Sequence, residues 1–352
     1  MAYLSIMHIR RVIFDYGGWS MDCTTFLMPL VSRLSSLGFC YKDGCEDPKD
    51  LLDEQEKRKL VDKPTLLEIL SYTSFPGSNI CGPFFEFRDY KDFIEENGRY
   101  KSIPNSFKSA FRSLCLGILS LVLCVVLPIW FNVYDGGKPE FLTYSILYRF
   151  VFLMVASFAF RCTFYVAWNI NDGSIHLSGL SYNGNDKDGN PKFDKIQCVN
   201  MYEVETCTSP REGIMYWNCM TVEWLRNYVF NRIKSKNSKD QTIPTMLTNL
   251  VSAFWHGFYP IYYPTFFFLA FISEIGKDIY RKKEMFSFIP YPISSILSNF
   301  LILFSLNYLA SGMALVDMGK AFSYYQGLYF TGHIGLLVGF IFFRFVLPGK
   351  SK

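Results

Sequence analysis

Charge is absent from the longest apolar stretches of this sequence. Ser113 to Tyr134, Thr245 to Ser273, Phe286 to Val316 and Ala321 to Phe343 contain no Asp, Glu, Lys or Arg. A soluble domain interleaves charge along amphipathic faces, so that class is excluded. Histidine is scarce, with only His8, His176, His256 and His333. The ten cysteines include no CxxC pair and no Cys/His spacing suited to zinc, so no metal site is expected. Cys115, Cys124 and Cys162 lie in apolar runs and read as buried free thiols. The net charge of +4 is too small to imply a nucleic-acid partner. Met1 to Gly18 carries Arg10, Arg11 and Asp15 and no clean apolar core, so no cleavable signal peptide is expected. No internal repeat is visible, which argues against a transporter.

What remains is 50% hydrophobic and 18% aromatic, with its 19% charge gathered near the ends of the neutral runs. That is the pattern of a polytopic membrane protein. The expected fold is all-α: one membrane-embedded bundle over residues 1–352, with roughly six to nine helical segments, some re-entrant or interfacial. Thr24 to Leu37, interrupted by Pro29, is short for a span. Lys42 to Asp62 is a solvated loop with a short surface helix, and Pro64 to Pro76 is an amphipathic helix opened by its proline. Ser113 to Tyr134 and Phe141 to Trp168 read as spans, the second carrying Arg149 and Arg161, which snorkel or face the interior. Asn169 to Thr208 reads as a structured polar loop, and Gly213 to Ile233 as interfacial. Thr245 to Ser273 is a span with an imidazole near its middle. Phe286 to Val316 is long enough to tilt or to be kinked near Pro290 and Pro292, and Ala321 to Phe343 is a further run.

An ionisable group at membrane depth is a functional candidate by default. His256 is the first such group, because a neutral imidazole accepts and returns a proton near neutral pH. Gly257 beside it lets another group approach closely. His333 is the competitor, and for both the plain alternative is a helix-to-helix hydrogen bond. His8 and His176 read as solvated. Asn218 offers a donor and an acceptor without a charge, although Asn is also a common cap residue. Trp224 and Tyr228 are spaced to share a helix face. Arg226 and Arg232, with Lys234 and Lys236, form a basic edge that suits lipid phosphates or a phosphorylated carrier, or is plain flanking charge. Lys234, Lys236 and Lys239 precede the histidine run, and Lys277, Arg281, Lys282 and Lys283 follow it. A single crossing would put one basic cluster on each side, so either the run is re-entrant or one cluster breaks the positive-inside rule.

Ser252-Ala253-Phe254-Trp255-His256-Gly257-Phe258-Tyr259-Pro260 resembles the histidine motif of the membrane-bound O-acyltransferase family. Trp217-Asn218, with Thr221, Trp224 and Tyr228 behind it, resembles that family's asparagine motif. Asp15-Tyr16-Gly17-Gly18-Trp19 through Tyr41-Lys42-Asp43-Gly44, and Leu70-Ser71-Tyr72 through Gly82-Pro83-Phe84-Phe85-Glu86-Phe87-Arg88-Asp89-Tyr90, resemble the lysophospholipid acyltransferase branch. The resemblance implies acyl transfer from acyl-coenzyme A, a co-substrate rather than a bound cofactor, to the free hydroxyl of a lysophospholipid, with sn-2 expected. It implies His256 as general base and Asn218 as its catalytic partner. Trp217, Trp224, Tyr228, Trp255, Tyr262, Arg226 and Arg232 are the expected substrate-binding residues. Lys350 and Lys352 make no convincing retrieval signal, so residence in the endoplasmic reticulum is expected on the resemblance alone. A sterol or other lipid acyltransferase of the same fold, or a non-catalytic truncated membrane protein, are the alternatives. Two departures stand out. Helices that precede the Asp-Tyr-Gly-Gly block in the family are expected to be missing, and Ile261 stands where relatives often carry glycine. Headgroup, acyl preference and oligomeric state leave no mark in the sequence.

Overall fold

The computed structural model describes residues 1–18, 22–78, 81–234 and 241–347. Trp19, Lys236, Lys239, Lys350 and Lys352 lie outside the described residues. Within them the chain is helical and has no strand, only one isolated bridge between Asn185 and Pro191.

The scaffold is a pair of long helices, α6 (Phe107–Val126) and α7 (Ile146–Ser178). The buried residues of α6 are all small: Ala110, Ser113, Gly117 and Ser120, a stripe at helical spacing. Across it the Ser106 hydroxyl faces Leu177 O at 3.5 Å, and Gly117 meets Ile170, so the two helices run antiparallel. Small residues let membrane helices approach closely. The other face of α6, with Phe111, Leu114, Ile118, Val122 and Val125, is exposed and apolar, as a lipid-facing surface must be. Arg149 caps the start of α7 through Tyr144 O and Leu142 O, and reaches Gly327 O. Arg161 faces the interior, where it pairs with Glu205 at 2.8 Å. The helix continues to Ser178, so Asn169 to Ser178, expected in a loop, is helical. Its polar side chains Asn169, Asp172 and His176 are turned inward and bonded, which lets a polar stretch remain helix.

Ahead of this pair come α1 (Ala2–Phe14), α2 (Thr24–Gly44), α3 (Asp53–Arg58), α4 (Leu66–Thr73) and α5 (Phe87–Ile94). The Thr65 side chain, not Pro64, opens α4, through a capping box with Glu68. The two hydrogen bonds from Thr65 hold the Glu68 carboxyl down at about 2. Arg33 on α2 is fully buried; it donates to Thr73 O at 3.1 Å and Ser78 O at 2.7 Å and lies over the Phe85 ring.

After α7 the short helices α8 (Met201–Glu205), α9 (Pro210–Tyr216), α10 (Cys219–Leu225) and α11 (Asn231–Ile233) follow, with a π-turn at Arg226–Phe230. This region was expected at the interface, but Met220, Trp224 and Tyr228 are buried in a core with α2 and the Phe84–Phe87 segment.

The uncharged Thr245–Ser273 run is not one span. It breaks into α12 (Thr242–His256) and α13 (Tyr262–Arg281). Thr242 donates to Glu274 at 3.2 Å, and Lys277 donates to Thr245 at 3.0 Å, so the start of α12 lies beside the end of α13. The pair is a hairpin with His256 at its tip. Both ends therefore open on one face, and the flanking basic residues agree with the positive-inside rule. Three described helices are long and apolar enough to cross a membrane: Phe107–Gly137, Ile146–Ser178 and α14 (Tyr291–Leu315). Pro292 sits in the first turn of α14 and starts it rather than kinking it. The last neutral run bends by 77° between α15 (Met318–Gly327) and α16 (Thr331–Ile341), at Tyr329 and Phe330, which both adopt positive φ.

Candidate active site

His256 is the last residue of α12. Gly257 stops the helix at φ +128°, a conformation open to glycine. Its missing side chain is needed twice over, because a Cβ there would lie 3.0 Å from His8 Nδ1. His8 therefore belongs to this site. It is buried, and its Nε2 donates to Trp255 O at 3.1 Å, closing a carbonyl of the helix end that carries His256. The neighbouring arginines suggested a solvated histidine, but Arg11 turns away, bonding Gly18 O at 2.5 Å and facing Asp22 at 3.7 Å.

The His256 imidazole stacks on Phe266 at 5.0 Å and is flanked edge-on by Trp255 and Tyr262. It is partly buried, and its ring nitrogens have no hydrogen-bond partner among the described residues. Trp255 is fixed by an indole bond to Met28 O at 3.1 Å. The tip is completed by the Asp15-Tyr16-Gly17-Gly18 turn. The Tyr259 hydroxyl donates to Asp15 O at 3.3 Å and accepts from Gly17 N–H at 3.2 Å, with Tyr16 packed edge-on at 5.3 Å. Two blocks singled out separately in the sequence thus form one wall.

Asn218 lies in the turn between α9 and α10, in the left-handed region at φ 47°, ψ 52°, where Asn is tolerated better than most residues. It occupies the N-cap position and its carbonyl accepts from Thr221 and Val222 N–H, but its side chain makes no cap bond and has no hydrogen-bond partner among the described residues. Trp217 points to α7 and packs on Trp168 at 4.8 Å, with Phe164 and Tyr165 around it. Trp224 reaches the histidine side, 5.8 Å from Trp255, with its indole donating to Ser35 at 3.0 Å. Asn218 and His256 do not bond directly. The Trp224–Trp255 pair links their helices.

Tyr228 shares the buried face of Trp224, as its spacing predicts, and donates to Glu86 at 2.5 Å. Burial pushes the Glu86 carboxyl up to about 7, against the pull of Tyr228 and Arg58. Arg232 is already committed: it grips Asp43 with both terminal nitrogens, at 2.6 and 2.5 Å, and lies over Phe39. Arg226 is exposed and has no ion pair among the described residues. A groove of 310 Å³ beside them is lined by Lys42, Asp43, Gln55, Arg232 and Lys234, with charges of both signs.

The remaining histidines are structural. His333 Nδ1 bonds the Tyr308 hydroxyl at 2.7 Å, between rings of Phe268 and Tyr325. His176, expected in solvent, is buried and bonded to Ser181 at 2.7 Å. No group of three His, Cys, Asp or Glu among the described residues is placed to hold a metal ion.

The model of the MBOAT, membrane-bound O-acyltransferase family, matches residues 13–329. The chain belongs to this family. It is 30% identical to lysophospholipid acyltransferase 6 of Drosophila melanogaster, over 99% of this chain and 50% of that protein. It is 28% identical to lysophospholipid acyltransferase 1 of Arabidopsis thaliana, over 100% of this chain and 78% of the relative. The lysophospholipid acyltransferase of Saccharomyces cerevisiae is 30% identical over 99% of this chain and 61% of its own length. The chain thus spans half to about three quarters of these relatives.

Proposed function

We propose that residues 1–352 act as one membrane-embedded acyl-coenzyme A:lysophospholipid O-acyltransferase of the endoplasmic reticulum. The observation that carries this reading is His256: an imidazole at the tip of the α12–α13 hairpin, within its charge-free Thr245–Ser273 part, walled by aromatic rings, with no hydrogen-bond partner for either nitrogen among the described residues. Family membership and the relatives' names support the reaction class.

His256 takes the proton from the free glycerol hydroxyl of the lysophospholipid. The alkoxide oxygen forms a bond to the thioester carbonyl carbon. Asn218 donates its amide N–H to the oxyanion or holds the hydroxyl in line. The carbon–sulfur bond then breaks, and the coenzyme A thiolate takes up the proton from His256. General-base help supplies ~10²–10⁴ in rate, and an oxyanion donor ~10²–10³. Holding two amphiphiles end to end adds proximity. Trp255 and Tyr262 wall the reacting centre. Trp217, Trp224 and Tyr228 act from behind, by fixing the helices. Arg226, exposed and without an ion pair among the described residues, is the better of the two arginines to meet a coenzyme A phosphate.

The test is acyl transfer by membranes carrying this chain, with labelled acyl-coenzyme A, a panel of lysophospholipids and His256→Ala alongside. Transfer to one headgroup that disappears in the variant is expected. Near-normal turnover by a folded His256→Ala protein would sink the general-base role.

A further inference from the structure

Asp172 is a buried carboxylate on the long helix α7, 1% exposed, and the chemistry above does not use it. Its Oδ1 accepts the Cys198 N–H at 2.7 Å. The Cys198 thiol and the Val199 amide also face it, while Oδ2 is sealed from solvent without a hydrogen bond of good geometry. A carboxylate is expensive to bury, so what it holds in place is informative.

It holds the floor under Asn218. The Cys198–Asn200 segment runs beside the asparagine turn and is tied to it on both sides. Asn200 N–H donates to Tyr216 O at 3.0 Å, and Cys219 N–H donates to Cys198 O at 2.8 Å. Between these two bonds lie only Trp217 and Asn218. Trp168, one turn before Asp172 on the same face of α7, packs on the Trp217 ring at 4.8 Å. One face of one rigid helix thus fixes the turn twice, by ring packing and by a carboxylate-anchored segment. The turn needs this, because Asn218 sits at positive φ, where a non-glycine residue is held only by its surroundings.

We propose that Asp172 is a positioning residue for acyl transfer: it sets the Asn218 amide in its working direction through Cys198 and the two backbone bonds. This rests on the reading of Asn218 as a catalytic residue. Asp172→Asn keeps the volume and one acceptor but replaces the other oxygen by an NH₂, which cannot accept a bond.

The experiment measures kcat and both KM values for the full chain, Asp172→Asn, Asp172→Ala, Asn218→Ala and the Asp172→Asn/Asn218→Ala double variant. Gel filtration and thermal unfolding in detergent accompany each. Asp172→Asn is expected to lower kcat ~10-fold or more, as a misplaced group does, with each KM and the unfolding midpoint nearly unchanged. The double variant is expected to be no slower than Asn218→Ala alone, because both changes act through one amide. Full kcat in Asp172→Asn, additive losses, or a loss that tracks unfolding would each overturn the proposal while leaving Asn218 in place. Near-normal turnover in Asn218→Ala alone would remove Asn218 from the chemistry, and this proposal with it.

Discussion

A carbonyl at the end of a helix lacks an intrahelical donor, and in a membrane water does not replace it. His8 supplies that donor for Trp255, from a helix remote in sequence. His8→Ala should therefore lower turnover and also destabilise the protein by about 1–3 kcal/mol, the cost of leaving a buried acceptor unsatisfied, seen as a lower unfolding midpoint. Gly257→Ala meets two obstacles, a positive φ and the His8 ring at 3.0 Å. It should cost at least ~1 kcal/mol and reduce activity, and a well-folded, fully active variant would show that the helix end tolerates a Cβ. Arg161 presents the larger stake. Its bidentate pairing with Glu205, which also accepts from Tyr165, joins α7 to α8. Arg161→Ala leaves that carboxylate without its cation, with an expected loss on the order of 3 kcal/mol, measurable by thermal unfolding.

Among the elements, the hairpin of α12 and α13 departs most from the reading of composition. Absence of charge reports that a stretch is apolar and says nothing of its direction. The break coincides with Gly257 and Pro260, two helix-stopping residues three positions apart. The basic residues on both sides had posed the same question. At 1.5 Å per residue, the fifteen residues of α12 place His256 about 22 Å from the open end of the hairpin. An impermeant label should reach single cysteines placed at Lys234 and Lys283 from the same side of sealed vesicles. Labelling from opposite sides would mean a crossing segment. By the same logic His333, already bonded to Tyr308, should be dispensable for the chemistry, and His333→Ala should lose far less activity than His256→Ala.

At the scale of the molecule, the membrane class and the family were legible because each rests on local pattern: charge-free runs, and short strings around the candidate residues His256 and Asn218. The pairing of distant pieces was not. Nothing near His8 signals a partner at Trp255, and Asp172 looked like part of a loop because the groups that satisfy it, at Cys198 and Val199, lie twenty-six residues on and beyond. The solvated side carries its own pH response. Glu86, faced by Tyr228, Arg58, Glu223 and Asp89, is held protonated by burial up to about 7, above its ordinary 4.5. A raised carboxyl pKa contributes stability in full below 4.5 and loses it as pH climbs through about 7. The unfolding midpoint should fall over that window, and Glu86→Gln should flatten the fall.

The bond from Gly17 N–H to the Tyr259 hydroxyl spans 242 residues of chain. During synthesis the Gly17 turn stays unclosed until Tyr259 has followed it off the ribosome. The centre is thus assembled late, from pieces remote in sequence, and a fragment that stops before Tyr259 cannot close it. Two halves divided in the exposed Asp186–Gly189 turn, made as separate chains in one membrane, should still find each other and recover transfer.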